Sequence, residues 1–278
     1  MFVTNTFCRP EVHLYIVTPK DTHLPRSETL IPISSQRNDG DNIAAKSNYC
    51  EVRAQYWVWK NVENADYIGF FHHRRYLLIK DLPKRKSPKP YFILKGPDAA
   101  DYSLEKIGPV LSSYDAIAPV WEYTGITVRK RYAKSKNHRL SDLECAGKIV
   151  KELYPMFTPA VADYLDGEGE YFCNMYILSR QLFQEYCQWL FSILKEFDRR
   201  VPDASANTDG YIAERLFGIW FTWLKTQPGV RCGEMPRVHF YQHDDKNHHF
   251  LLLKLVNFFF PPGTRVRASI VRKIKFHI

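Results

Sequence analysis

The stretch Tyr67 to Ile79, YIGFFHHRRYLLI, sets His72, His73, Arg74 and Arg75 between two apolar runs. All four side chains can carry positive charge, and they follow what reads as a buried strand. Arginine offers a rigid two-pronged donor to phosphate, and histidine adds a further donor or a proton carrier. A diphosphate group suits such a cluster. A zinc ion suits it less, because adjacent histidines rarely converge on one metal and flanking arginines repel a cation. The plain alternative is a solvated, charged face.

Other residues able to do chemistry fall in four places. DGDNIAAKSNYCE holds Asn42, Lys46, Asn48 and Glu51; its plain reading is a helix cap with exposed polar side chains. Asn48 and Glu51 are three apart, a spacing that lets them share a helix face. Asn174 lies within the apolar run FCNMYIL, where a buried amide must find hydrogen-bond partners, from the backbone or from a ligand. NTDGYIAERLF places Asp209 and Glu214 near a helix start, where acids favour the helix dipole. Arg215 can neutralise Glu214 and make that pair structural. Asp115, in YDAIAP, either starts a strand or touches a hydroxyl, and His138 lies in NHRLSD with Asp142 as a plausible helix cap.

The elements that must position these residues alternate. His13 to Thr18 reads as a strand ending at Pro19, and Ile43 to Asn61 as a helix with a broad aromatic face. YIGFF, Tyr114 to Val120 and Tyr171 to Leu178 read as strands. Ser141 to Leu153, Phe183 to Phe197 and Asp209 to Leu224 read as helices. Such alternation predicts an α/β fold with a mainly parallel central sheet flanked by helices. Ligands of open α/β sheets bind outside the carboxyl ends of strands, which is where the His-His-Arg-Arg run falls. Residues 82–90 read as a basic, proline-rich loop and Arg129 to His138 as a second basic segment. The boundaries expected are one domain over 1–248 and an apolar, then basic amphipathic, tail over 249–278.

The 278 residues are 45% hydrophobic and carry a formal net charge of +9. That size supports a sizeable core, and that charge favours anionic partners without choosing among them. The six cysteines show no CxxC spacing and lie mostly in apolar surroundings, so they are read as reduced, which points to the cytoplasm. No signal peptide is expected, and no apolar run reaches the roughly 18 residues of a spanning helix.

DNIAAKSNYCEVRAQYWVWKN followed by ADYIGFFHHRRYLL resembles the signature of a bacterial family of capsular and exopolysaccharide glycosyltransferases, long catalogued as a domain of unknown function. YFCNMYILSRQLFQEYCQWLFSIL and GYIAERLFGIWF resemble its later blocks, in the expected order, so that the likeness runs over roughly residues 10–245. The resemblance implies a GT-A-like, nucleotide-sugar-dependent transferase, and some relatives are galactofuranosyltransferases that use UDP-galactofuranose. It implies that His72, His73, Arg74 and Arg75 stand where most GT-A enzymes carry the metal-holding Asp-x-Asp. Fixed side-chain cations would then replace the metal, with Mg²⁺ or Mn²⁺ as the alternative cofactor. Asn42, Lys46 and Asn48 are placed at the donor by the same likeness. Asn174, Asp115, His138 and Glu51 are placed near sugar or acceptor hydroxyls. The carboxylate base of an inverting transfer is expected at Glu214 first and Asp209 second.

The partners so implied are a UDP-sugar, a surface-polysaccharide acceptor (O-antigen or capsule, lipid-linked) and an anionic membrane surface met by the tail. No nucleic-acid partner is expected. The location implied is the inner face of the cytoplasmic membrane. Two other readings compete. The first is a non-catalytic basic protein that binds nucleic acid or other anions. Its basic residues, however, fall in separated segments, and no recognition-module signature is present. The other is a scaffold that has kept a transferase fold.

Overall fold

The computed structural model describes residues 9–18, 26–79, 91–94, 101–240 and, in the tail, 255–256, 259–260, 265–267 and 269–270. The basic segment 82–90 and most of the tail lie outside the described residues. In chain order the strands are β1 (Val12–Thr18), β2 (Leu30–Ser34), β3 (Tyr67–His72), β4 (Arg75–Leu77), β5 (Tyr91–Leu94), β6 (Ala116–Pro119), β7 (Glu122–Tyr123), β8 (Gly169–Glu170), β9 (Tyr176–Ser179), β10 (Cys232–Met235) and β11 (Arg237–Phe240). The helices are α1 (Val52–Asn61), α2 (Leu104–Leu111), α3 (Val128–Lys134), α4 (Leu140–Leu153), α5 (Thr158–Leu165), α6 (Arg180–Arg200) and α7 (Thr208–Leu224).

The central sheet runs β2-β1-β3-β9-β6-β10, and β4, β11 and β5 continue it from the end of β3. Within this sheet only β4 and β9 run against the other described strands, and β7 and β8 form a separate antiparallel pair. This is the α/β fold with a mainly parallel sheet that the alternating pattern predicts. Both faces are covered. Tyr15, Val17 and Phe70 pack into the core under α1 and α4–α7, while Leu14, Ile16 and Phe71 face the opposite cluster with α2. Alternate residues of a strand point to opposite faces, so runs apolar at every position are what a two-sided sheet requires. Gly69 is needed for the spacing of β1, β3 and β9. A Cβ there would stand 2.7 Å from Leu14 Cδ2 and 2.9 Å from Ile177 Cγ1.

Three expected elements differ. The helix expected over 43–61 begins only at Val52. Before it lie a single 3-10 turn, Ser47–Tyr49, and Cys50 in a left-handed conformation (φ 50°) that interrupts any continuous helix. The strand expected over 171–178 is β9 alone. Cys173 (φ 78°) and Asn174 (φ 47°) turn the chain just before it, so Asn174 is a turn residue and not a strand residue. In the tail, Val256 packs with Phe260 and Ile270. Arg267, expected among exposed basic residues, is 2% exposed and stands 3.8 Å from the buried Glu122.

Candidate functional site

The His-His-Arg-Arg run is a tight hairpin at the carboxyl edge of the parallel strands. His72 ends β3 and pairs with Arg75 at the start of β4, which leaves His73 and Arg74 as the turn. The His73 N–H donates to Val17 O at 3.2 Å, which ties the turn to the end of β1. His72 Nδ1 accepts the Arg74 N–H at 3.4 Å, and the two imidazoles stack with centroids 4.1 Å apart. The run does not hold four cations. Burial, then His73 and the two arginines, push His72 down to about 3. Burial and both arginines also push His73 down. At neutral pH the charge resides on Arg74, which is exposed, and Arg75, which is half-buried.

Strand β9 enters at the same edge, so the Cys173–Asn174 turn lies beside the hairpin. The Arg75 guanidinium donates to Cys173 Sγ at 3.7 Å, and Arg237 of β11 donates to it at 3.4 Å. The Cys173 N–H donates to Glu214 Oε1 at 2.7 Å, and Glu214 Oε2 accepts from Arg215 at 3.0 Å. Glu214 therefore touches the Cys173 turn, and both of its oxygens are engaged. Two successive left-handed residues without glycine cost on the order of 1–3 kcal/mol each. Glu214, Arg75 and Arg237 supply contacts that hold them. Asn174 is 3% exposed, and neither atom of its amide meets a hydrogen-bond partner.

Behind Glu214 is a buried ion network that sequence reading misses. Arg215 stands 3.3 Å from Glu170, and Arg131 of α3 stands 3.0 Å from the other Glu170 oxygen. Arg237 pairs with Glu122 of β7. Glu170 and Glu122 each occur at the edge of an aromatic run (EYFC and WEY). A charged residue in such surroundings requires a partner, and that was the available signal. Gln55, also missed, is 1% exposed with neither amide atom partnered.

The loop before α1 turns out to be held mainly by its own contacts. Asn42 donates to the carbonyls of Asn38 (3.0 Å) and Gly40 (2.9 Å) and accepts the Ala44 N–H at 3.1 Å, so it shapes the loop instead of facing the hairpin. Lys46 pairs with Asp198 of α6, and Asn48 donates to Asp209 of α7. Those two contacts engage the side chains expected at the donor. Tyr49 also donates to Asp198, at 2.9 Å. Asp209 is 0% exposed, and its Oδ2 accepts from Asn48. Burial, then the neighbouring Asp198 carboxylate, raise it to about 7.

That shift gives stability a definite pH dependence. Asp209 keeps its proton in the folded protein up to about pH 7, whereas the unfolded chain releases it near its ordinary value of 3.8. Stability is therefore greatest on the acid side of this window, falls from about pH 4 to 7 and levels off above it. Asp209→Asn, which mimics the protonated acid, is expected to flatten that slope. It should gain up to about 4 kcal/mol on the wild type at pH 8. Thermal unfolding from pH 5 to 8 reads this, and parallel wild-type and variant curves would refute it.

Asp115 is at the wrong edge. It precedes β6 at the amino end of the parallel strands, where its carboxylate takes Arg231 Nη2 at 2.6 Å and Arg231 Nε at 3.1 Å. The length of β3, about 17 Å at 3.3 Å per residue, separates that edge from the hairpin. Asp115 starts the strand at the edge opposite the hairpin, held by Arg231. His138 lies between the rings of Tyr132 (4.2 Å) and Tyr211 (4.3 Å), near Arg215. Burial, then Arg215, push it down to about 4, so it is neutral at pH 7. Glu51 is half-buried at the head of α1, next to Arg75 and Glu214, and burial raises it above the ordinary carboxylate value. Among the described residues no group of three or more His, Cys, Asp or Glu side chains is arranged to hold a metal ion. The five described cysteines are free, and no described helix is long and apolar enough to cross a membrane.

The arrangement is thus two arginines on a hairpin and two buried, unpartnered amides, with Glu51 and Glu214 close by. It can receive an anionic group together with several hydroxyls. Residues 14–226 match the family model described as "Domain of unknown function (DUF4422)". Among solved structures the chain is similar to WbbM, a bifunctional glycosyltransferase in its apo form. They share 26% identity over 84% of this chain and 46% of that one, with a TM-score of 0.72. The chain thus spans about half the length of that protein. No curated protein matches.

Proposed function

The chain belongs to the DUF4422 family, and on that premise we propose that it is a nucleotide-sugar-dependent glycosyltransferase. The observation that carries the reading is the Arg74–Arg75 hairpin at the carboxyl edge of a mainly parallel sheet, beside the buried amide of Asn174. The likeness to WbbM over 84% of the chain supports it. Arg74 and Arg75 bind the diphosphate of the donor and offset the charge that grows on the leaving group. The neutral imidazoles of His72 and His73 can donate a hydrogen bond without adding repulsion between cations. Asn174 takes sugar hydroxyls. The donor is UDP-galactofuranose, the acceptor is a lipid-linked surface glycan, and the transfer is inverting and metal-independent.

Thermal protection by UDP-galactofuranose, UDP-galactopyranose and UDP-glucose, then product NMR with alkyl glycoside acceptors, tests this. The expected result is the largest shift with UDP-galactofuranose and turnover indifferent to EDTA. If no donor protects the protein or releases UDP, the reading fails. Turnover lost in EDTA and restored by Mg²⁺ or Mn²⁺ would replace the metal-free step with a metal-assisted one.

The protein works at the inner face of the cytoplasmic membrane, attached by its tail. Exposed Leu255, Phe259, Val266 and Arg265 support this part. Each basic residue near an anionic surface is worth about 1 kcal/mol. Co-sedimentation with anionic liposomes is expected to fall on deletion of residues 264–278 and to weaken in high salt. Equal sedimentation with and without the tail would remove the attachment.

A further inference from the structure

We propose, on the glycosyl-transfer reading above, that Glu51 is the residue that takes the proton of the acceptor hydroxyl, and that Glu214 positions the turn beside it. The argument begins with which carboxylates near this edge are occupied. Glu214 accepts the Cys173 N–H and Arg215, and Glu170 is shared by Arg131 and Arg215. Glu122 is paired with Arg237. Asp209 is 0% exposed, and Asp198 holds Lys46 and Tyr49. Glu234 takes the Tyr171 hydroxyl at 2.9 Å and the Trp121 N–H at 3.0 Å. Among the described residues of this group, Glu51 alone has no hydrogen bond or ion pair to another residue's side chain, and it is half-buried instead of sealed.

Its position is built. Cys50, in its left-handed conformation, packs directly against α7 at Gly210, where a Cβ would stand 3.0 Å from Cys50 Cβ. The Cys50 thiol meets Asn207 Oδ1 at 2.9 Å. Glu51 follows at once, and Glu214 is one helical turn beyond Gly210, so the two carboxylates become neighbours. Arg75 faces both across the Cys173 turn. Gln55, four residues after Glu51 and so on the same side of α1, brings a buried amide without a partner. Burial and the Glu214 charge raise Glu51 while Arg75 lowers it, and a raised carboxylate is the stronger base once it is ionised.

The step balances without a co-reactant. The acceptor oxygen forms a bond to the anomeric carbon and passes its proton to the Glu51 carboxylate. The bond from that carbon to the diphosphate oxygen breaks, and its electron pair leaves with UDP, next to Arg74 and Arg75.

Glu51→Gln is expected to bind UDP as the wild type does and to melt within a few degrees of it, because the Glu51 side chain makes no capping hydrogen bond. On the donor and alkyl glycoside that the wild type turns over best, its kcat should fall by about 10²–10⁴-fold. The acid limb of the kcat/KM profile should disappear with it. Glu51→Asp keeps the charge at shorter reach, so it should retain that limb and lose about 10²-fold in rate. A Glu51→Gln protein within tenfold of the wild-type rate, with its acid limb intact, overturns this assignment alone. A wild type that releases no UDP from any donor overturns the parent reading, and this one with it.

Discussion

Glu170→Ala is expected to lower the melting temperature by about 10 °C. Glu170 is 1% exposed and holds Arg131 at 3.0 Å and Arg215 at 3.3 Å, and Arg215 is itself only 5% exposed. Burial pushes the Glu170 carboxyl up, Arg215 and then Arg131 oppose that shift, and the Glu214 and Glu122 charges add to it. Removing the acid leaves Arg131 without its carboxylate and Arg215 with Glu214 and the Tyr211 carbonyl. Breaking a buried ion pair from one side costs about 3–5 kcal/mol. In a chain of this size each kcal/mol is worth roughly 2–4 °C. Glu170→Gln keeps an acceptor oxygen and should lose less. Scanning calorimetry of both variants decides it, and an Ala variant that melts within two or so degrees of the wild type would show the network to be thermodynamically idle. The change also reaches the site. With Glu170 gone, Arg215 keeps Glu214 as its carboxylate partner, and Glu214 fixes the Cys173 turn at 2.7 Å.

The parts of this fold legible in the sequence are those where one local signal decides. β1 and β3 are short apolar runs, and α6 and α7 are long helices whose apolar surfaces are broad enough to show in any window. The failures have a common cause. Nothing local marks Cys50 and Cys173 as left-handed, while Asn174, of a type that tolerates that region, sits in an apolar run that reads as strand. The two cysteines have distant partners: Cys50 meets α7, and Cys173 meets Glu214, Arg75 and Arg237. A helix was therefore expected to run through residue 50 and a strand through residue 174. β2 (LIPIS) carries Pro32 inside it and yet pairs with β1, at the sheet edge, where proline is tolerated.

The site was legible as a location and less so as a set of roles. Strand order alone puts the histidine–arginine run at the carboxyl edge, and it is there. Its charge state was not readable, because the neutrality of His72 and His73 follows from burial against two arginines. Of the two readings open for Asp115, a strand start or a hydroxyl contact, the pairing with Arg231 at the amino edge favours the strand start. Lys46, Asn48 and Asp209 carry residue types that suit a donor site, yet their contacts with Asp198 and with one another tie α6 and α7 to the loop before α1. Polar residue type narrows the candidates, but the question of which carboxylate is already occupied needs coordinates.

The double variant Arg74→Ala, Arg75→Ala is expected to bind UDP at least about tenfold more weakly than the wild type while remaining folded. A hydrogen bond to a charged group contributes roughly 1.5–3 kcal/mol, and about 1.4 kcal/mol is a factor of ten. Loss of one proposed diphosphate contact meets that figure, and loss of both exceeds it. The fold should survive because Arg74 is exposed and Arg75 makes only a 3.7 Å contact, to the Cys173 sulfur. The hairpin's backbone pairing of His72 with residue 75 needs no guanidinium. Removal of both charges has a second consequence within the same hairpin. Burial holds His72 and His73 down first and the arginines after it; truncating both arginines removes their charge and opens the hairpin to water, so both imidazoles become easier to protonate. UDP affinity in the double variant should then recover in part as the pH falls toward 5, since histidinium replaces some of the lost charge. Isothermal titration at pH 8 and pH 5 reads both effects. Unchanged affinity at pH 8 would return the run to an ordinary solvated surface, and a loss at pH 8 with no recovery at pH 5 would remove the histidines from the diphosphate site while leaving the arginines in it.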